Sequence, residues 1–138
     1  MDLRRTTYAV WELTLECNLA CVHCGSRAEA PRPEELSTSE ALDLVQQLAD
    51  AGIHEVTLIG GEAYLRTDWL TIVRAIRKAG MNCSLTTGGY GISAATARAM
   101  READLQQVSV SIDGCRAVHD QLRGKPGSWD ACFRTLAL

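Results

Sequence analysis

Three cysteines fall within eight residues near the start of the chain, in the stretch CNLACVHC at Cys17, Cys21 and Cys24. Thiolates are the protein ligands of iron–sulfur clusters, and the usual cluster site has four of them. The next cysteine, Cys83, lies a whole structural unit further along the chain. A cluster bound here would therefore keep one iron without a protein ligand, and an open metal position is typical of a catalytic site rather than a structural one.

Two other uses of clustered cysteines fit this spacing less well. Structural zinc sites usually combine two spaced pairs of ligands, and the chain contains no second C-x-x-C pair. His23 lies between Cys21 and Cys24 and would have to fold back sharply to complete such a site. A disulfide would leave one of the three cysteines unpaired. Zinc and disulfide stay open as the weaker alternatives.

The composition is that of one ordinary globular domain. The 138 residues are 46% apolar and 22% charged, with a formal net charge of −3 and no basic run longer than Arg4-Arg5. This balance argues against nucleic acid as a partner, because phosphate binding needs a concentrated positive surface. No apolar stretch approaches the ~20 residues of a membrane span, and the start of the chain has no apolar signal core. We expect a cytoplasmic protein without a membrane partner, and the cysteines fit a reducing compartment.

Apolar periodicity predicts four strands that alternate with helices. Ser37 and Glu40 form a capping box before the first helix, and Gly52 follows its end. Short buried strands that alternate with amphipathic helices indicate parallel strands joined by right-handed crossovers, which is an α/β fold. The predicted strands are 8–15, 55–59, 82–86 and 107–112, and further helices are predicted to open at Thr67-Asp68, Ser93 and Ser128.

Each predicted strand ends in residues that could bind a ligand. In β/α folds the functional groups collect at the C-terminal ends of the strands, so these segments should meet around one cavity. Glycine lets a ligand approach the backbone closely, and a carboxylate such as Glu62 could meet a cationic group. After the cysteine segment, the strand ends are Gly60-Gly61-Glu62, then 86–89 (TTGG), then 111–114 (SIDG).

The three-cysteine spacing after a first strand resembles the cluster motif of the radical S-adenosylmethionine (radical SAM) enzymes. The resemblance implies that Cys17, Cys21 and Cys24 hold a [4Fe–4S] cluster whose fourth iron is chelated by the methionyl amino and carboxylate groups of SAM. His23 stands at a position that is usually aromatic and lies near the adenine. The implied activity is reductive cleavage of SAM to a 5′-deoxyadenosyl radical, which abstracts hydrogen from a substrate. An external electron donor would be needed.

Three further segments resemble SAM-binding motifs of the family. Gly60-Gly61-Glu62 is similar to the G-G-E segment that contacts the methionyl amino group. Ser111 is similar to the serine of an S-x-D-G segment near the ribose or methionyl part of SAM. Thr86 and Thr87 match a position where many members read Thr-Asn-Gly. This chain reads Thr-Thr-Gly-Gly there, so the asparagine has no counterpart, and a SAM contact by Thr87 is an expectation. No residue can be assigned as catalytic or as substrate-binding.

Two segments resemble the branch of the family that modifies ribosomal peptides and often carries a SPASM (auxiliary-cluster) domain. They are 60–66 (GGEAYLR) and the predicted loop 119–124 (HDQLRG), in which Arg123 is the best candidate for holding a carboxylate. We therefore expect a peptide substrate. A small-molecule substrate in cofactor biosynthesis, or the activation of sulfatases, stays open.

The family core is a partial TIM-like barrel of six β/α units, of which this chain supplies four. We therefore expect residues 1–138 to be the truncated N-terminal portion of a radical SAM core domain, with a complementing C-terminal half as a possible partner. A non-catalytic fragment that only binds a metal cluster is the alternative from another class. Cys83 and Cys132 are expected to be buried packing residues, Cys115 stays open as a further ligand, and His54 is expected to be structural.

Overall fold

The computed structural model describes residues 7–138, and its framework is one sheet of four parallel strands in the order β1-β2-β3-β4. Tyr8 lies opposite Glu55, Glu55 opposite Asn82, and Ser84 opposite Gln107. The strands are β1 (Tyr8–Thr14), β2 (Glu55–Gly60), β3 (Asn82–Thr87) and β4 (Gln107–Val110). The prediction of an α/β fold made of the first four β/α units of a partial barrel is confirmed.

Helices connect successive strands, as parallel pairing requires. The first of them starts as predicted: Ser37 Oγ accepts from the Glu40 N–H at 3.3 Å, and the Glu40 carboxylate accepts from the Ser37 N–H at 2.8 Å. A short 3-10 turn (Ala63–Leu65) follows β2. The helices are α1 (Thr38–Asp50), α2 (Trp69–Lys78), α3 (Ala94–Glu102), α4 (Arg116–Arg123) and α5 (Ser128–Leu136).

The core lies between the central strands and the helices that cover them. Val56, Leu58 and Leu85 of the sheet are fully buried, and so are Ile72 and Ile76 of α2. Burying one such side chain contributes about 1.5–3 kcal/mol. The strand ends that carry the predicted site residues therefore project from the best-packed part of the molecule.

The predicted loop over 119–124 is wrong, because this segment belongs to α4, which ends at Gly124 in the left-handed conformation (φ +62°). The fully buried residue of this helix is the polar His119, whose Nδ1 accepts from the Asp113 N–H at 3.2 Å. A helix whose buried face carries a histidine shows no clear apolar stripe in the sequence, and a stripe is the signal that identifies helices.

The predicted cap of the last helix is also wrong. Ser128 is the first residue of α5, and Gly127 precedes it as the N-cap with φ +81°. The capping carboxylate comes from α4 instead: Asp120 accepts from the Gly127 and Trp129 N–H groups at 2.8 Å each, and from Ser128 Oγ at 2.9 Å.

The remaining predictions concern strand ends and isolated residues. β1 and β4 end one and two residues earlier than predicted, at Thr14 and Val110. Cys83 and Cys132 are fully buried, which confirms the packing prediction, whereas Cys115 is exposed just before α4. The Arg4-Arg5 pair lies outside the described residues. Within 7–138, no helix has the length and apolar character to cross a membrane.

Candidate functional site

The C-terminal ends of the four strands open on one cavity of about 320 Å³, which we call the site cavity. Its wall includes every predicted site residue, and Arg123 of α4 lines it as well. The structure therefore brings together segments that lie far apart in the sequence. The nine predicted residues in the wall are Cys17, Cys21, His23, Cys24, Gly60, Gly61, Glu62, Thr87 and Ser111.

The cysteines of the cluster loop (residues 17–24) carry free thiols, and each sulfur has an N–H donor. The Leu19 N–H donates to Cys17 Sγ at 3.4 Å, and the Ala28 N–H donates to Cys24 Sγ at 3.4 Å. Arg123 Nη1 lies 3.9 Å from Cys21 Sγ. Hydrogen bonds to sulfur stabilise thiolates, which are the form that binds metal.

Three thiols in one wall with donors aimed at their sulfurs fit an iron–sulfur cluster, in which each thiolate binds its own iron. No group of three His, Cys, Asp or Glu side chains within residues 7–138 is arranged to hold a metal ion. Burial raises the pKa of the Cys17 thiol. Burial also raises the pKa of Cys21, although the Arg123 guanidinium acts against it.

The cluster loop is fastened to the end of α4. The Ala20 N–H donates to the Arg123 carbonyl at 3.1 Å, and the Val22 N–H donates to the Leu122 carbonyl at 2.9 Å. The last carbonyls of a helix have no partner within the helix, so they are free to accept these bonds. The two backbones approach so closely that a Cβ on Gly124 would lie 2.4 Å from the Ala20 oxygen.

The side chain of Asn18 also holds the cluster loop, through hydrogen bonds to two tyrosines. Its Nδ2 donates to the Tyr64 hydroxyl at 2.8 Å and to the Tyr90 carbonyl at 2.9 Å, and the Tyr64 hydroxyl also donates to that carbonyl. The cluster loop is thus held by the segments that follow β2 and β3 as well as by α4.

The glycine pair after β2 is packed against the chain that leads from β1 to Cys17. A Cβ on Gly60 would lie 2.2 Å from the Thr14 oxygen, and one on Gly61 would lie 2.2 Å from the Glu16 oxygen. The N–H of Gly61 donates to the Thr14 carbonyl at 2.8 Å. The sequence reasoning explained the missing side chains by the approach of a ligand. The structure shows that the neighbouring backbone already requires both glycines.

Glu62 is buried in the wall of the site cavity with 2% of its surface exposed. Its Oε1 accepts from the Gly88 N–H at 2.6 Å, and its Oε2 accepts from the Thr87 hydroxyl. Burial raises the pKa of Glu62, and these two hydrogen bonds act against that rise. The end of β3 therefore fixes the orientation of the carboxylate that follows β2.

Arg123 already holds a carboxylate, that of Asp113. Its Nε lies 2.6 Å from Asp113 Oδ2 and its Nη2 lies 3.0 Å from Oδ1, which is the two-bond geometry that suits a guanidinium. Burial opposes ionisation of Asp113, but the bonds to Arg123 hold the pKa of Asp113 below its usual range. His23, with its side chain 46% exposed at the rim, lies 3.7 Å from the same carboxylate.

Sequence reasoning missed the connection between Arg123 and Cys21. The sequence predicts Arg123 in a loop, as a residue that holds a carboxylate. A helix over 116–123 would have placed the arginine in the last turn, where cations and free carbonyls are expected together. The polar face of that helix concealed this signal.

Comparisons with known sequences identify the family of the chain. The family model of the Radical SAM superfamily matches residues 11–138. The chain is 39% identical over 126 residues to the AdoMet-dependent heme synthase of Oleidesulfovibrio alaskensis, with 90% of this chain and 32% of that protein covered. It is 37% identical over 127 residues to the mycofactocin maturase MftC of Mycolicibacterium smegmatis, with 91% and 32% covered. The chain thus spans about a third of the length of these relatives.

Solved structures share the fold. Streptococcus suis SuiB bound to precursor peptide SuiA superposes with a TM-score of 0.77 at 17% identity, over 94% of this chain and 29% of that one. Native anSMEcpe with bound AdoMet superposes with a TM-score of 0.74 at 18% identity, over 95% and 39%. The family match begins within β1 and covers the rest of the chain with the site cavity, and the chain therefore belongs to the Radical SAM superfamily of enzymes.

Proposed function

We propose that residues 1–138 form the N-terminal portion of a radical SAM core domain, in which Cys17, Cys21 and Cys24 bind a [4Fe–4S] cluster and the adjoining wall binds SAM. One observation carries this proposal: nine residues from four separate segments line a single cavity at the strand ends. When bound, the two groups supply reductive cleavage of the S–C5′ bond of SAM and hydrogen-atom abstraction from a substrate. An external donor supplies the electron.

The residues of the chain orient SAM and exclude water. Glu62 receives the methionyl ammonium, and its buried carboxylate is pre-oriented by Thr87 and Gly88. A buried carboxylate attracts an ammonium more strongly than an exposed one because the local dielectric is low. Ser111 contacts the ribose or methionyl part, and His23 lies beside the adenine at the open rim.

The substrate we propose is a ribosomally made peptide. The similarity to a mycofactocin maturase supports this class. The similarity to AdoMet-dependent heme synthases favours a second candidate, a small molecule of cofactor biosynthesis such as a haem precursor. The two relatives are almost equally similar to the chain, so both substrate classes are tested side by side.

Anaerobic reconstitution tests the cofactor proposal. We expect about four iron and four sulfide per chain, in keeping with a single four-iron cluster, and reductive release of 5′-deoxyadenosine from SAM. Cys17→Ala, Cys21→Ala and Cys24→Ala should each lose the cluster, whereas Cys115→Ala, at an exposed cysteine outside the site cavity, should keep it. Cluster uptake without SAM cleavage would indicate the non-catalytic fragment. Uptake of zinc without iron would contradict both cluster proposals.

The substrate is tested with the loaded protein and two sets of candidates. Short peptides encoded beside the gene are incubated with SAM and reductant, and their masses are measured. Haem precursors are incubated in parallel and followed by visible absorbance. A mass change in a peptide supports the peptide class, and a change confined to the porphyrin spectrum supports the second candidate.

A further inference from the structure

The hydrogen-bond donor at the Cys21 sulfur differs in kind from the donors at Cys17 and Cys24. Cys17 and Cys24 receive neutral backbone N–H groups from residues close in sequence, at 3.4 Å each. Cys21 faces the charged Nη1 of Arg123, 102 residues away and at 3.9 Å. Among the hydrogen-bond donors to these three sulfurs within residues 7–138, the one at Cys21 is thus positively charged and the other two are neutral.

We propose that Arg123 is a positioning residue that sets the reduction potential of the cluster through Cys21, and that Asp113 limits the size of its effect. This inference rests on the proposed function, because it requires the three cysteines to hold an iron–sulfur cluster.

The position of Arg123 beside Cys21 is fixed from several directions. Its own carbonyl accepts from the N–H of Ala20, the residue before Cys21, at 3.1 Å. Its side chain is 12% exposed, its guanidinium makes two bonds to Asp113, and Nη2 also lies 3.5 Å from the Ser111 carbonyl. Because both the backbone and the guanidinium of Arg123 are hydrogen-bonded, its charge stays beside the sulfur.

Charge and hydrogen bonds to sulfur are among the factors that set cluster potentials. Reduction adds one negative charge, so a nearby cation stabilises the reduced form and raises the potential, while a nearby anion lowers it. Arg123 Nη1 lies 3.9 Å from Cys21 Sγ, and the Asp113 carboxylate is bonded to the same guanidinium, so both charges lie close to this sulfur. Substitutions of the two residues should therefore shift the potential in opposite directions.

The experiment is a redox titration of the anaerobically reconstituted chain, followed by electron paramagnetic resonance of the reduced cluster without SAM. The variants are Arg123→Gln, Arg123→Lys and Asp113→Asn. Arg116→Gln is the matched control, because Arg116 lies on the same helix but is exposed and pairs with Asp130 and Trp129. Iron content, melting temperature of the apo-protein and SAM affinity are measured for each.

We expect Arg123→Gln to shift the potential to more negative values and Asp113→Asn to more positive values. Arg123→Lys should shift it less than Arg123→Gln, and Arg116→Gln should leave it unchanged. If Arg123→Gln does not take up the cluster, the potentials of Arg123→Lys and Asp113→Asn test the predicted directions of the shift.

Unchanged potentials in variants with full iron content would overturn the inference. So would unchanged potentials with several-fold weaker SAM binding, because Arg123 would then be a cofactor contact. A wild-type chain that takes up no iron would instead overturn the proposed function.

Discussion

Glu62 is an ionisable residue in a buried position, and burial disfavours the charged form of a carboxylate. It is a carboxylate that must stay inside the protein, where burial raises its pKa. The Thr87 hydroxyl, the Gly88 N–H and the positive charge of Arg123 act against this rise and offset it only in part. The ammonium of the proposed ligand would add a further positive charge beside the carboxylate. Glu62 is therefore expected to lower stability in the free protein and to contribute to binding.

The pH dependence of unfolding, compared between wild type and Glu62→Gln, tests whether Glu62 lowers the stability of the free protein. The pKa of Glu62 is higher in the folded state than in the unfolded state, so between those two values the folded state binds more protons, and stability falls as pH rises. Glutamine keeps the shape without the charge. We expect Glu62→Gln to gain free energy of unfolding relative to wild type as pH rises from about 4.5, the ordinary glutamate range, to 7.5.

The measurement is urea unfolding of the apo-protein at several pH values. Glu34→Gln, at an exposed glutamate of the segment before α1, is the control. A constant difference between wild type and Glu62→Gln across this range would contradict the explanation. Loss of SAM affinity in Glu62→Gln without loss of stability would support the proposed contact between Glu62 and the methionyl ammonium.

At the scale of elements, α4 is the centre of the site's support. Its last carbonyls hold the cluster loop, Arg123 holds Asp113 after β4, and Asp120 caps α5. A helix of eight residues thus contacts both the cluster loop and the last helix of the described chain. Substitutions in α4 that disturb the contact with the cluster loop should therefore reduce retention of the proposed cluster. Substitutions that remove the Asp120 cap should reduce global stability.

Gly124→Ala tests the contact with the cluster loop. Alanine in the left-handed region costs about 1 kcal/mol, and the Cβ would also meet the Ala20 oxygen at 2.4 Å. Overpacking of this kind typically costs a further ~1–3 kcal/mol. Gly127→Ala is the matched control, since Gly127 has φ +81° and nothing within 4 Å of a Cβ. We expect Gly124→Ala alone to lose iron on gel filtration after reconstitution. Equal iron retention in both variants would contradict the contact.

Asp120→Ala tests the cap that α4 gives to α5. Backbone N–H groups donate to Asp120 and lower its pKa, so its contribution to stability is present above the ordinary carboxyl range and is lost as pH falls through the lowered pKa. We expect a melting temperature several degrees below wild type at neutral pH, with a difference that shrinks in acid. Asp130→Ala removes an exposed carboxylate from the same first turn and should have little effect.

The sequence was informative where the determining contacts are local. The capping box at Ser37, the strand alternation and the strand-end residues all depend on neighbours within a few positions, so the fold class and the wall of the site cavity could be predicted. α4 could not, because its buried residue is His119 and its polar contacts lie on other elements. The Asp120 cap and the Arg123–Cys21 contact have the same origin: each depends on partners that come together only through the tertiary fold.

At the scale of the whole molecule, β4 has a partner on one side only. Within residues 7–138, no second strand pairs with it, and a hollow of about 290 Å³ lies beside it between α3 and α5. Met100, Leu105 and Val110 line the hollow, and Leu136 beside them is 56% exposed. An unpaired strand edge next to an apolar surface promotes association.

We therefore expect the isolated chain to self-associate at high concentration. Leu136→Lys places a charge on the hollow and should lower the apparent mass in sedimentation experiments over a concentration series. Val118→Lys, on the exposed side of α4, is the control for added charge. Association that persists in Leu136→Lys, or that disappears equally in Val118→Lys, would contradict this role of the hollow.

The separation of Cys21 and Arg123 by 102 residues has a consequence during synthesis. A ribosome that adds about 5–20 residues per second releases the cysteine segment on the order of 5–20 s before the arginine. For that interval the three thiols have neither the guanidinium nor the carbonyls of α4 beside them, and they are open to oxidation and to stray metal ions. For the proposed cluster, iron and sulfide delivered after translation of α4 would meet thiols that already have these groups beside them.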